Sequence, residues 1–143
     1  NAGLFLMHKR GTPKDMQKKL NPRANMVKEF DKFIEKRLKI LDKMKFNLKK
    51  VWFDPGIGFG KTLNQNLQLM RSLSKYSHKN LQILLGSSRK SWINSIDPSN
   101  ADQRLGGSLA SITHALQQNV NTFRIHDVQE TNQMIKVLKA LNK

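Results

Sequence analysis

The chain has 143 residues, 26 Lys and Arg against 10 Asp and Glu, a formal net charge of +16 and 38% hydrophobic residues. That length suffices for one ordinary domain with a real core. The lack of cysteine excludes a disulfide framework and thiolate metal sites and suits a reducing compartment. No apolar run approaches the ~20 residues of a membrane-spanning helix. With no visible signal peptide either, cytoplasm is the expected location.

In chain order, Leu4–His8 predicts a strand, followed by a basic loop and a helix over roughly Met26–Lys45 with Asn25 as its cap. Lys28, Lys32, Lys36, Lys39 and Lys43 recur three or four residues apart, opposite Phe30, Phe33, Ile34, Leu38 and Leu41. Much of the positive charge thus belongs to a solvated outer helix rather than to a nucleic-acid groove. A nucleic-acid module would also interleave stacking aromatics with its cations, and no such platform is visible. Val51–Asp54 predicts the second strand, and Asn66–Tyr76 carries Leu67, Met70 and Leu73 at helical spacing. Leu81–Gly86 is the third strand, followed by a short helix at Arg89–Ile96 and the main one at Asp102–Gln118. Thr122–His126 is the last strand. Asp127 and Glu130 have capping-box spacing, and Met134, Val137, Leu138 and Leu141 stripe the final helix. Strands alternating with helices imply a parallel sheet joined by right-handed crossovers.

Each apolar run delivers polar groups into a turn. Val51-Trp52-Phe53 ends in Asp54 and then in Pro55-Gly56-Ile57-Gly58-Phe59-Gly60-Lys61. Three alternating glycines around one aromatic let a flat ligand approach the backbone, and the spacing fits neither common nucleotide signature. Ile83-Leu84-Leu85 runs into Gly86-Ser87-Ser88-Arg89-Lys90-Ser91, where a cation at a helix start is electrostatically unfavourable and asks for a reason. In Thr122–Asp127, alternation puts Arg124 and His126 on one face. Most of these residues also have a plainer reading: Asp54 or Ser91 as a cap, Lys90 as a surface charge, Arg124 as a strand charge facing solvent, Met7 as core filler, Phe59 as a plug.

These segments, with Leu6-Met7-His8-Lys9-Arg10-Gly11-Thr12-Pro13-Lys14-Asp15-Met16-Gln17 and Arg104-Leu105-Gly106-Gly107-Ser108-Leu109-Ala110, resemble dihydropteroate synthase, the folate-pathway target of sulfonamides. Order and spacing match across nearly the whole chain, with Lys9 standing where the family often has methionine. The resemblance implies a (β/α)8 barrel of the pterin-binding family, of which residues 1–143 supply about the last four βα units, the C-terminal half of a single domain. Such a barrel typically needs about 250 residues.

The resemblance also assigns roles. Lys90, Arg124 and His126 are the catalytic set. Substrate is bound by Met7, Asp54, Phe59, Gly86, Lys90, Ser91, Arg124 and His126. Asp54 would accept two parallel hydrogen bonds from an amino-pyrimidinone edge. Arg124 would stack on the pterin ring and hold phosphate oxygens. Met7 would line the pterin pocket, while Phe59 and Ser91 would border the p-aminobenzoate and sulfonamide site. The implied reaction condenses 6-hydroxymethyl-7,8-dihydropterin diphosphate with p-aminobenzoate. Mg2+ is expected to bind with the diphosphate, its protein ligand lying in the family's N-terminal half rather than in this chain. The implied partners are these small molecules and a second copy of the full-length enzyme, with no nucleic acid and no membrane. Three alternatives stay open: a methyltetrahydrofolate-binding methyltransferase barrel with a corrinoid partner, an inactive half-barrel, and a basic nucleic-acid module. Of the histidines, His8, His78 and His114 read as structural.

Overall fold

The computed structural model describes residues 2–12, 14–16, 18 and 20–142; Pro13 and Gln17 of the first motif lie outside them. The chain alternates strands and helices. The strands are β1 (Leu4–Met7), β2 (Val51–Asp54), β3 (Gln82–Leu85) and β4 (Thr122–Phe123), joined in the order β1-β2-β3-β4 with every pairing parallel. The helices are α1 (Met26–Lys43), α2 (Leu63–Arg71), α3 (Ser74–Ser77), α4 (Ser91–Asn94), α5 (Leu105–Gln117) and α6 (Val128–Leu141). A parallel sheet in sequential order with helical crossovers is the wall of a (β/α) barrel, here four βα units of it.

The sheet has two unlike faces. Val51, Phe53, Ile83 and Leu85 are buried against a helical layer containing Met26, Phe30, Ile34, Leu69, Tyr76 and Ala115. On the other face the register aligns Phe5, Trp52 and Gln82. The Phe5 and Trp52 rings are 5.1 Å apart, and Phe5 is 57% exposed. Met7 and Asp54 share this second face, because side chains alternate along a strand.

Helix α1 forms as its pattern predicts. The Asn25 side chain accepts from Lys28 N at 3.0 Å, Met26, Phe30, Ile34 and Leu41 are buried, and the five-lysine stripe is exposed. Truncating a fully buried phenylalanine such as Phe30 would cost about 3–5 kcal/mol.

Elsewhere the boundaries shift for identifiable reasons. Helix α2 starts at Leu63, before the expected Asn66, because Thr62 and Gln65 form a reciprocal capping box. It stops at Arg71 rather than continuing to Tyr76. The Ser72 hydroxyl takes the Leu69 carbonyl, while Gln118 takes the Met70 carbonyl at 2.7 Å and accepts from Ser74 N at 3.1 Å. The expected helix at Arg89–Ile96 contracts to α4, since Arg89 adopts a left-handed φ of 56°. The expected Asp102–Gln118 helix divides at Arg104 into one turn of 3-10 helix, Ala101–Gln103, and α5. Strand β4 is shorter than the expected Thr122–His126, although Arg124 N still donates to Leu85 O at 3.0 Å. Asp127 makes no side-chain cap on α6; its carboxylate pairs with Arg89 instead.

Candidate active site

The carboxyl ends of the strands are level, and the polar residues gather there. Asp54 is 3% exposed, and its Oδ1 accepts from Gly56 N at 2.7 Å. Burial pushes its carboxyl up from the ordinary carboxylate range. The Gly56 N–H and the charges of Lys90, Arg124 and Lys61 pull the other way. A buried carboxylate of raised pKa among cations at the end of a parallel strand is a functional signature.

The glycine turn differs from the flat platform that its sequence suggests. A Cβ on Gly56 would lie 1.9 Å from His8 O, and one on Gly60 would lie 2.5 Å from Arg10 O. Both also have positive φ, so these glycines serve close packing against the loop after β1. Only at Gly58 is the space beyond Cα open, with Lys90 Cδ the nearest atom at 3.5 Å. Lys61 underlies this arrangement. It is 3% exposed, and its Nζ donates to the carbonyls of Gly56, Phe59 and His8. Burial lowers its pKa to about 8.

Lys90 is the extended residue that starts α4. Its Nζ lies 4.4 Å from the centre of the half-buried Phe59 ring and donates to Ile57 O at 2.6 Å. Burial lowers its pKa to about 8 against the raising effect of Asp54, with Arg124 adding to the fall. The exposed Ser91 follows it. Gly58, Lys61, Ser91 and Trp92 line a cleft of about 160 Å³ between the glycine turn and α4.

Arg124 lies across Gly86, where an added Cβ would meet Nη2 at 2.9 Å. That glycine is what lets a guanidinium lie flat at the strand end. His126 Nδ1 is 3.1 Å from the buried Ser88 hydroxyl. The structure therefore draws Met7, Asp54, Phe59, Gly86, Lys90 and Arg124 into one neighbourhood, with Ser91 and His126 at its margins. His8 packs against Phe30 and Phe33, with ring centres 6.0 and 5.5 Å away.

Several supporting residues lie within the motifs, but no role in the site is assigned to them from sequence. Arg89 holds Asp127 through Nε at 3.0 Å and through Nη2. Arg104 Nη1 holds Arg89 O at 2.9 Å, and Ser108 accepts from Arg89 N at 2.9 Å. Together these fix the turn that carries Lys90 and the loop that carries His126. Lys61 could have been suspected, as a lysine directly behind three glycines. Among the described residues, no three His, Asp or Glu side chains group to hold a metal ion.

A buried carboxylate, a cation over an aromatic ring and a flat guanidinium at the ends of parallel strands belong to the α/β enzymes that bind ligands above a sheet. The family can be stated more narrowly: a model of pterin binding enzymes matches residues 1–126, and the chain belongs to that family. It is 36% identical over 136 residues to dihydropteroate synthase of Escherichia coli K12, covering 94% of this chain and 48% of that protein. A solved Yersinia pestis dihydropteroate synthase in complex with a sulfonamide drug superimposes with a TM-score of 0.89 at 32% identity, over 98% of this chain and 51% of that one. The Xanthomonas albilineans enzyme solved with 4-aminobenzoic acid gives 0.85 at 28% identity, over 98% and 49%. The chain spans about half the length of the curated relatives it matches. No helix among the described residues is long and apolar enough to cross a membrane.

Proposed function

We propose that this chain supplies the pterin and leaving-group side of a dihydropteroate synthase, which joins 6-hydroxymethyl-7,8-dihydropterin diphosphate to p-aminobenzoate. The observation that carries the reading is the meeting of Asp54, Lys90 and Arg124 in one neighbourhood at the strand ends. Support comes from the relatives' names and from their solved complexes with a sulfonamide and with 4-aminobenzoic acid.

The geometry is compatible with the chemistry that the family resemblance assigns to each residue. Asp54 keeps acceptor capacity beyond the Gly56 N–H, enough for the paired donors of an amino-pyrimidinone. Charge there favours positive charge developing on the pterin as its methylene C–O bond breaks and diphosphate departs. The aniline nitrogen attacks the methylene, a C–N bond forms, and the proton released from that nitrogen passes to solvent. Lys90, Arg124 and His126 hold the departing anion, and Phe59 walls the nucleophile's side beside the Lys90 ammonium. His126 Nδ1 is taken by Ser88, which leaves Nε2 for the anion. Positioning and charge stabilisation suffice, without a covalent nucleophile.

Magnesium bound with the diphosphate belongs to this reading, but the described residues offer no ligand cluster for it. Cytoplasmic location, sulfonamide binding at Ser91 and Phe59, and a homodimer of the whole enzyme belong to it as well. The test is formation of dihydropteroate and diphosphate from the two substrates by the whole protein. Methyl transfer from methyltetrahydrofolate with no diphosphate release would favour the methyltransferase barrel instead.

A further inference from the structure

The lysine behind the glycine turn is placed to act on Asp54 without touching a ligand. All three of its ammonium donors end on main-chain carbonyls: Gly56 at 2.8 Å, Phe59 at 3.0 Å and His8 at 3.2 Å. Two of these belong to the turn and the third to the loop after β1. The same segments hold Asp54 from both sides, through Gly56 N to Oδ1 at 2.7 Å and His8 N to the Asp54 carbonyl at 2.9 Å. Removing the ammonium would take a donor from all three carbonyls, leaving Gly56 O with the Phe59 N–H at 3.1 Å, and loosen both supports.

Charge adds to geometry. Burial disfavours the ionised form of Asp54, and Lys90, Arg124 and Lys61 oppose that effect. Lys90 and Arg124 stand where an anionic ligand would draw on the same charge. Lys61 is committed to main-chain carbonyls, so its charge stands beside Asp54 with or without a ligand; Lys90, Arg10, Glu29 and the His8 imidazole, itself held neutral to about pH 4, face the same ammonium.

We propose that Lys61 is a positioning residue for pterin recognition, its buried ammonium shaping the glycine turn and acting as the standing countercharge of the Asp54 carboxylate. This inference rests on the pterin reading of Asp54. The experiment is equilibrium binding of a 2-amino-4-oxopterin to the whole protein, read by fluorescence from about pH 5 to about pH 7.5. It compares the wild type with Lys61→Gln, Lys61→Met and Lys61→Arg, each checked for folding by circular dichroism. Lys61→Gln keeps two donors and loses the charge. Its acidic limb is expected to move to higher pH, so that binding at the acid end weakens severalfold and recovers as pH rises. Lys61→Arg is expected to return the limb toward its wild-type position. Superimposed limbs for the wild type and Lys61→Gln would overturn the proposal even if the variant bound uniformly more weakly, because uniform loss is packing alone. Failure of both neutral variants to fold would also overturn it, making Lys61 a folding residue. A wild type that binds no pterin, or an Asp54→Asn variant that binds it equally well, would instead sink the pterin reading and this inference with it.

Discussion

The two halves of the site are built on opposite principles. On the β1–β2 side the polar groups are interior: Asp54 and Lys61 are each 3% exposed, and the structural His8 is 7% exposed. Glycines there let two loops interlock with almost no space between them. On the β3–β4 side Arg124 and His126 are exposed, each resting on a small residue, Gly86 or Ser88. A flat, neutral, hydrogen-bonding ring needs preset acceptors in a dry wall. A mobile, highly charged leaving group is better met by cations that solvent can reach and that can adjust. Stability and activity should therefore separate between the halves.

The largest effect expected is from Gly56→Ala. A Cβ 1.9 Å from a main-chain oxygen cannot be relieved by a rotamer change, and φ of 64° adds strain. A loss of about 4 kcal/mol or more in denaturant unfolding is expected, with pterin binding lost alongside. An alanine variant of wild-type stability would break the contrast at its strongest point.

His8 comes next. Its pKa is lowered from 6.5 to about 4 by burial first and then by Lys61 and Arg10. The folded state thus binds fewer protons than the unfolded state between those values. Stability conferred by the neutral imidazole is full above about pH 6.5 and is lost as pH falls toward 4, by at most about 3 kcal/mol. Urea titrations of wild type and His8→Asn across that window should diverge in slope; parallel curves would remove His8 from the rigid half.

Arg124→Ala should show the reverse pattern. Dihydropteroate formation is expected to fall at least ~10²-fold, about 2.7 kcal/mol at the transition state, with little change in melting temperature. Lys28→Ala on the outer face of α1 serves as the control and should change neither. Equal activity losses from the two would refute the role of Arg124. The smallest effect sharpens the comparison most. In Gly86→Ala the new methyl meets only the end of the Arg124 side chain at 2.9 Å, which can move. Activity should drop about tenfold and stability by less than about 0.5 kcal/mol. A destabilisation matching that of Gly56→Ala would show that the exposed half is as rigid as the buried one.

Much of this was legible in the chain itself, because apolar runs and helical stripes are local. The existence of the four strands, of which only Val51–Asp54 ends where expected, the amphipathic α1 and the polar turn residues all follow from patterns within a few residues. What escaped was set by distant partners. Gln118 ends α2 by taking the Met70 carbonyl 48 positions away. Asp127 forgoes its expected cap for Arg89, 38 positions away. The glycine turn reads as a ligand platform until His8 and Arg10 are seen pressed into it. Lys61 reaches His8 across 53 positions, and nothing in its neighbourhood in the chain announces that bond.

The interlock of the two loops also limits where the chain can change length. Because the carbonyls of His8 and Arg10 occupy the volume that side chains at 56 and 60 would need, residues 8–10 and 56–60 form one body built from two pieces of chain. An added or deleted residue between Met7 and Arg10 would slide those carbonyls out of register with both glycines. At the exposed Gly11 and Thr12 the same change would leave those two carbonyls in place. Insertions and deletions among relatives should therefore gather after residue 11 and stop short of it.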